Sequence, residues 1–254
     1  MLKVLICCEE SQRICNNFRA LGHEAYSCDI IECSGGHPEW HVKGDCTPFL
    51  EPNKKGYRFK TMNGVEHFVD RFDLIIGHPP CDHLAVSGAL RFAQKRLDGR
   101  QRAGIEFFCK FFDADCDHIV IENPVNIIAG EYIPKWFPDL AEKYNLPRKP
   151  SQMIHPYMFG HPESKRTCLW IKGLPNLEPT NILQLPECGH WENQTADGQN
   201  KLIIDGKWIG YNDPRTKIYR SKTYPGIAEA IAKQWSEYIL KEYKLTKEQT
   251  DETP

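Results

Sequence analysis

Apolar runs of strand length alternate with stretches of helical periodicity through most of this chain. Lys3-Val4-Leu5-Ile6-Cys7-Cys8 is continuous enough to read as a buried strand. Ser11 stands where it would cap a following helix, with Ile14, Phe18 and Leu21 recurring on one face. A second strand, Glu24-Ala25-Tyr26-Ser27-Cys28, ends at Asp29, and Asp73-Leu74-Ile75-Ile76-Gly77 gives another. Ile119-Val120-Ile121 is a β-branched run closed by Glu122-Asn123-Pro124, and the stretch from Gly160 to Ile171 passes from a polar loop into an apolar strand. Near the C-terminus Ile227, Ile231, Trp235, Tyr238 and Ile239 fall at helical spacing and predict a helix that packs on the sheet. Strand and helix in alternation predict an α/β, Rossmann-like sheet with helices on both faces. Residues 174–221 lose this rhythm and carry prolines and glycines instead, which predicts a small irregular segment. Residues 244–254 read as a disordered tail. The main domain is therefore expected at 1–173 and 222–243.

The densest chemistry lies where the Asp73–Gly77 run ends, in His78-Pro79-Pro80-Cys81. Two prolines fix φ and remove backbone donors, so they hold the thiol on a stiff loop at the lip of a strand. Ligands of open α/β sheets bind at the C-terminal edges of the strands, which makes Cys81 a candidate nucleophile. The competing reading is that Cys81 is one more small buried hydrophobe in a chain with 11 cysteines.

The run Asp73, Gly77, Pro79, Pro80, Cys81, followed by Asp82 and the Ser87-Gly88 pair, resembles the Pro-Cys motif of the cytosine-5 DNA methyltransferases. Glu122-Asn123-Pro124 is similar to that family's Glu-Asn-Val motif, and the stretch around Lys165 and Arg166 is similar to its arginine motif. The strand-turn-helix at the N-terminus matches the family's cofactor loop in position. Where the family has glycines, however, this chain has Cys8-Glu9-Glu10-Ser11-Gln12. The chain as a whole also resembles compact phage and prophage proteins labelled DNA cytosine methyltransferases. The resemblance implies a sheet that binds S-adenosylmethionine, with Cys8, Glu9, Glu10, Ser11 and Pro80 lining the cofactor, Asp29 on its ribose and Asp45 on its adenine. It implies Cys81, Glu122 and Arg166 as the catalytic set, with Lys165 second to Arg166 for the cationic role. DNA is the implied substrate. Ser87, Arg91, Lys165, Arg215, Lys217 and Arg220 are the candidate nucleic-acid contacts, and 174–221 takes the place of the target-recognition region. Because that region is short, a partner subunit or a homodimer is an expected complement to it.

Composition restricts the classes without selecting one. The formal net charge is −2, which argues against indiscriminate coating of nucleic acid and leaves room for a local basic face. Basic residues cluster between Arg91 and Arg102 and again between Arg215 and Lys222. No apolar run reaches the ~20 residues of a membrane span, and the chain leads straight into a strand, so a cytoplasmic protein with reduced thiols is expected. Cys188-Gly189-His190 alone is a poor zinc signal, and no metal is expected.

In chemical terms a flipped cytosine would be attacked at carbon 6 by Cys81 while Glu122 stabilises the ring protonated at nitrogen 3. Carbon 5 then accepts a methyl group. Three other readings stay open: an amino-methyltransferase with the Pro-Pro loop in the same place, a cytosine-modifying enzyme with another donor or with an RNA or nucleotide substrate, and a non-catalytic nucleic-acid-binding relative.

Overall fold

The computed structural model describes residues 1–192, 194, 201–210 and 213–251. The chain runs β1 (Lys3–Cys7), α1 (Arg13–Ala20), β2 (Glu24–Asp29), β3 (His41–Lys43), α2 (Thr47–Leu50), β4 (Tyr57–Lys60), β5 (Glu66–Val69) and β6 (Leu74–Gly77). It continues through α3 (Phe92–Leu97), α4 (Arg100–Lys110), β7 (Ile119–Pro124), α5 (Tyr132–Trp136), α6 (Pro138–Tyr144), β8 (Gln152–Ile154) and β9 (Thr167–Lys172). The last elements are β10 (Leu202–Ile204), β11 (Lys207–Ile209), α7 (Pro214–Ser221) and α8 (Pro225–Asp251).

Seven strands form one sheet in the order β3-β2-β1-β6-β7-β9-β8. The pairs from β3 to β7 are parallel, and β9 lies antiparallel between β7 and β8. This is the α/β, Rossmann-like sheet that the pattern of apolar runs predicted. Successive side chains of a strand point to opposite faces, so each strand feeds two cores. Val4, Ile6, Leu74, Ile76 and Val120 pack with Ile14 and Phe18 of α1 and with Ile227, Ile231, Trp235 and Ile239 of α8. Leu5, Cys7, Ile75, Ile119 and Ile121 pack on the other face with Ile105 and Phe108 of α4. At Gly77 an added Cβ would stand 2.3 Å from the Phe111 ring, so only glycine lets β6 run this close to the end of α4.

Several elements differ from expectation. Leu21 is 50% exposed because α1 stops at Ala20, and Tyr238 is 40% exposed on the outer side of α8. Ser11 does not cap α1; Glu9 does, from outside the helix. The sequence reading did not include the antiparallel hairpin β4–β5, whose Tyr57 and Phe59 pack around Phe49 and Phe72. The 174–221 segment contains the hairpin β10–β11 and the helix α7. It is tied to the sheet domain by paired amide bonds between Gln194 and Ser164 and between Gln234 and Glu178. α8 continues to Asp251, so 244–251 are helical rather than an irregular tail. That stretch holds no glycine or proline to stop a helix already anchored by Trp235. Among the described residues, no helix is long and apolar enough to cross a membrane.

Candidate active site

Strands β1, β6 and β7 are neighbours in register, with Cys7 opposite Gly77 and Gly77 opposite Ile121. The residues that follow each strand therefore emerge side by side at one edge: Cys8 and Glu9 after β1, His78 after β6, and Glu122 where β7 runs on. A carboxylate, an imidazole and a second carboxylate meet there. His78 Nδ1 lies 3.1 Å from Glu122 Oε2, and the two side chains are only 12% and 22% exposed. Burial alone would push the Glu122 carboxyl up, but the His78 hydrogen bond and charge, helped by Lys165, hold it below the usual carboxylate range. The imidazole is displaced the other way. Burial lowers its proton affinity, yet the bond to Glu122 and the charges of Glu122 and Glu9 leave it raised.

The loop that carries Cys81 is fixed from both sides. The Cys81 carbonyl accepts the amides of Leu84 and Ala85 at 3.0 and 2.9 Å, which makes a tight turn immediately after the prolines. Asn123 of β7 donates its side-chain amide to the Pro79 carbonyl at 2.7 Å, and Asn126 donates to Asn123 Oδ1 at 3.0 Å. Val86 donates its amide to the Val125 carbonyl and Ile127 to that of Leu84, so the loop is stitched to the backbone after β7. Lys95, although basic, is buried and spends its ammonium on the Asp82 carbonyl. The Cys81 thiol is half-buried, and burial with the nearby charges of Asp82 and Glu122 pushes it above the ordinary thiol value; Lys165 opposes them.

The cationic role expected of Arg166 finds a different occupant. Arg166 is exposed, and the groups that feel its charge are His155 and Cys168. Lys165 is the side chain whose charge acts on Cys81, His78 and Glu122; its ammonium donates to the Arg220 carbonyl at 3.0 Å. That contact brings α7 against the site. The neighbouring Glu163 is buried and accepts the hydroxyls of Tyr219 and Tyr224, which fastens the end of α7 and the start of α8 to the same loop.

The turn from Cys8 to Gln12 makes glycine-like backbone without glycine. Cys8 and Gln12 have φ of 59° and 55°, in the left-handed region. Glu9 folds inward: its carboxyl accepts the amides of Ile14 and Cys15 at 2.6 and 3.3 Å, capping α1, and burial pushes it up to about 7. Glu10 is half-buried, accepting the Ser34 hydroxyl with Lys222 3.9 Å away, and Ser11 is buried beneath the approach of Gly35. At the end of β2, Asp29 is half-buried, accepts the Ile31 amide at 3.3 Å and is raised by burial. It is an acceptor at the sheet edge of the kind that a ribose diol satisfies. Asp45 is exposed, and its carboxylate closes its own turn on the Thr47 amide at 2.9 Å. These residues form one edge with the Cys81 loop, where Pro80 is exposed.

The candidate nucleic-acid contacts are less uniform than their sequence clustering. Ser87 and Arg91 are exposed on the segment that follows the Cys81 loop. Beyond them Arg96 lies 3.9 Å over the Trp136 ring, Arg100 pairs with Asp98, and Arg102 forms a two-bond pair with Asp139. Most of that basic run is thus committed within the protein. Arg215 pairs with Asp213 at 2.7 Å, Arg220 is exposed beside Lys165, and the Lys217 side chain lies outside the described residues, as does Tyr211.

Sequence reasoning missed His78 and Glu9 as the cap, and it placed Lys165 second to Arg166 for the cationic role although Lys165 is the one whose charge acts on the thiol. His78 stands directly before the Pro-Pro-Cys loop, so its position was visible. Its pairing needed the β6–β7 register.

No family model matches this chain, and no curated protein matches it. Among solved structures it is similar to a prophage-encoded protein of E. coli provisionally described as a DNA modification methyltransferase, at 15% identity and a TM-score of 0.43. The match covers 73% of this chain and 53% of that one, so the chain spans about half the length of that protein. At that identity and score, the likeness bears on neither substrate nor mechanism.

Proposed function

We propose that this chain is a DNA cytosine-5 methyltransferase that works through a covalent bond from Cys81 to the target base. The observation that carries the reading is the convergence of a loop-held thiol and a half-buried carboxylate on adjacent parallel strands, with the Lys165 charge acting on both. The Pro79-Pro80-Cys81 and Glu122-Asn123 motifs thus belong to one site, stitched together by the Asn123 to Pro79 bond.

In this reading a cytosine is rotated out of its stack, because its ring faces are covered inside a duplex. The Cys81 thiolate forms a bond to carbon 6, and the Glu122 carboxylate accepts hydrogen bonds from the exocyclic amine and the protonated nitrogen 3. The pair of electrons that leaves the 5,6 double bond makes carbon 5 nucleophilic. S-adenosylmethionine, held by Asp29 at its ribose and Asp45 at its adenine, would supply the methyl group. Loss of the carbon 5 proton then restores the double bond and expels the thiolate. Lys165 lowers the cost of ionising Cys81, which burial and two acidic neighbours otherwise raise.

One feature favours a second reading with the same cysteine chemistry and a different donor. The interior of the Cys8–Gln12 turn is filled by the Glu9 side chain.

The test is intact mass of the protein after incubation with a 5-fluorocytosine oligonucleotide and S-adenosylmethionine. Fluorine at carbon 5 cannot leave as a proton, so a stable adduct of protein, DNA and methyl group is expected. Cys81→Ser should form none, because a hydroxyl is far less ionised than a thiol at neutral pH, and turnover should fall by several orders of magnitude. A protein–DNA adduct in Cys81→Ser would remove Cys81 as the nucleophile, and no adduct in the wild type would remove the covalent mechanism.

A further inference from the structure

We propose that His78 is a positioning residue for Glu122: it occupies carboxylate oxygen Oε2 and leaves Oε1 to meet the substrate ring. The inference deepens the function proposed above and rests on it.

The geometry isolates the pair. His78 Nδ1 is 3.1 Å from Oε2, whereas Nε2 is buried with no hydrogen-bond partner. Among the described residues the bond to Glu122 is then the ring's one side-chain anchor, and ring and carboxylate set each other's orientation. The backbone reinforces this, since the His78 amide donates to the Cys7 carbonyl at 3.0 Å and the loop beyond His78 is clamped by Asn123. His78 therefore couples the end of β6, three residues before the nucleophile, to the end of β7.

The charged groups that face the pair come from every element around it. Glu9 lies on the β1 side, Lys165 on the loop before β9, and Cys81 with Asp82 on the loop after β6. A carboxyl buried as Glu122 is would be expected to hold its proton at neutral pH if it stood alone. With the imidazole on Oε2 it stays an anion instead. The sign follows directly: a base that must be ionised to accept from a protonated ring loses function as pH falls through its pKa. Removing His78 moves that loss to higher pH.

The experiment is the rate of adduct formation with the 5-fluorocytosine oligonucleotide at saturating DNA, measured from pH 5 to 9 for the wild type, His78→Asn and His78→Phe. Asparagine keeps an N–H donor for Oε2 without the charge, and phenylalanine keeps the volume alone. The acid limb should move upward by about one pH unit or more in both variants. The plateau rate should fall about tenfold in His78→Asn and about 10²-fold in His78→Phe, with the KM for DNA little changed. A residue with only a packing role would lower stability and leave the acid limb where it was. Profiles that superimpose on the wild type overturn the assignment. If the wild type forms an adduct and the profiles superimpose, His78 alone is reassigned; if the wild type forms none at any pH, the underlying function falls with it. Should His78→Phe fail to fold, His78→Asn decides.

Discussion

Glu9 is a carboxylic acid held away from water, and its energetics follow from that. In the unfolded chain it ionises near its ordinary value, about 4.3, while in the fold burial outweighs its two amide bonds and raises it to about 7. A group raised on folding contributes stability that is complete below the unfolded value and lost as pH climbs through the folded one. The loss here spans about pH 4.5 to 7.5 and amounts to about 3–4 kcal/mol. Glu9→Gln should therefore gain on the wild type as pH rises, so that the difference in Tm widens from pH 5 to pH 8. Thermal unfolding at four pH values checks it; parallel curves would remove this burial from the account. A glutamate in a loop carries no sign in the sequence that it will turn inward. Cys81 and Glu122 were legible because proline pairs, strand ends and their order along the chain mark them. The choice between Lys165 and Arg166 was not, since the two are neighbours in the loop before β9 and only the folded path of that loop decides whose charge reaches the thiol.

Among the elements, β7 both carries Glu122 near its C-terminal end and clamps the Cys81 loop through the following residue. Asn123 is 2% exposed, and its removal leaves the Pro79 carbonyl and the Asn126 amide buried without their partner. Asn123→Ala should cost about 1–3 kcal/mol in urea unfolding. Loosening of the Pro79-Pro80-Cys81 turn should also slow adduct formation roughly 10²-fold, because small displacements of a nucleophile are costly. Normal reactivity in a destabilised variant would mean that the prolines alone fix the loop. The strands that this argument uses were readable as apolar runs, and α8 as a helical stripe. The β4–β5 hairpin was overlooked although Asn63-Gly64 sits between two alternating stretches, a turn signal in its own right. The 174–221 elements could not be read because their strands are three residues each and largely exposed, so burial imposes little pattern on them.

At the scale of the whole molecule, the strand order shows how two separate groups of residues could share the proposed reaction. The sheet reverses its direction of build at β1, with β2 and β3 on one side and β6 and β7 on the other. A crevice at such a reversal, outside the carboxyl ends of the strands, is where ligands of this architecture bind. Asp29 and Asp45 stand on the β2–β3 side, and His78, Cys81 and Glu122 on the β6–β7 side, so a donor and an acceptor would meet above β1. On the proposed function, the turn that would admit the donor is the one filled by Glu9, which makes donor binding the sharpest test of the molecule as a whole. Calorimetry with S-adenosylmethionine and with its demethylated product should give saturable heat, and Asp29→Ala should weaken binding by about 1–3 kcal/mol, the scale of hydrogen bonds to a charged group. The measurement is repeated with a cytosine oligonucleotide present, because Ser87, Arg91 and the α7 face lie beside the same edge and bound DNA can complete the crevice. Folded protein that gives no heat in either condition yet still forms a Cys81 adduct with fluorocytosine or azacytosine DNA would assign the cysteine chemistry to another donor. Binding that Asp29→Ala leaves untouched would move the ribose away from the end of β2.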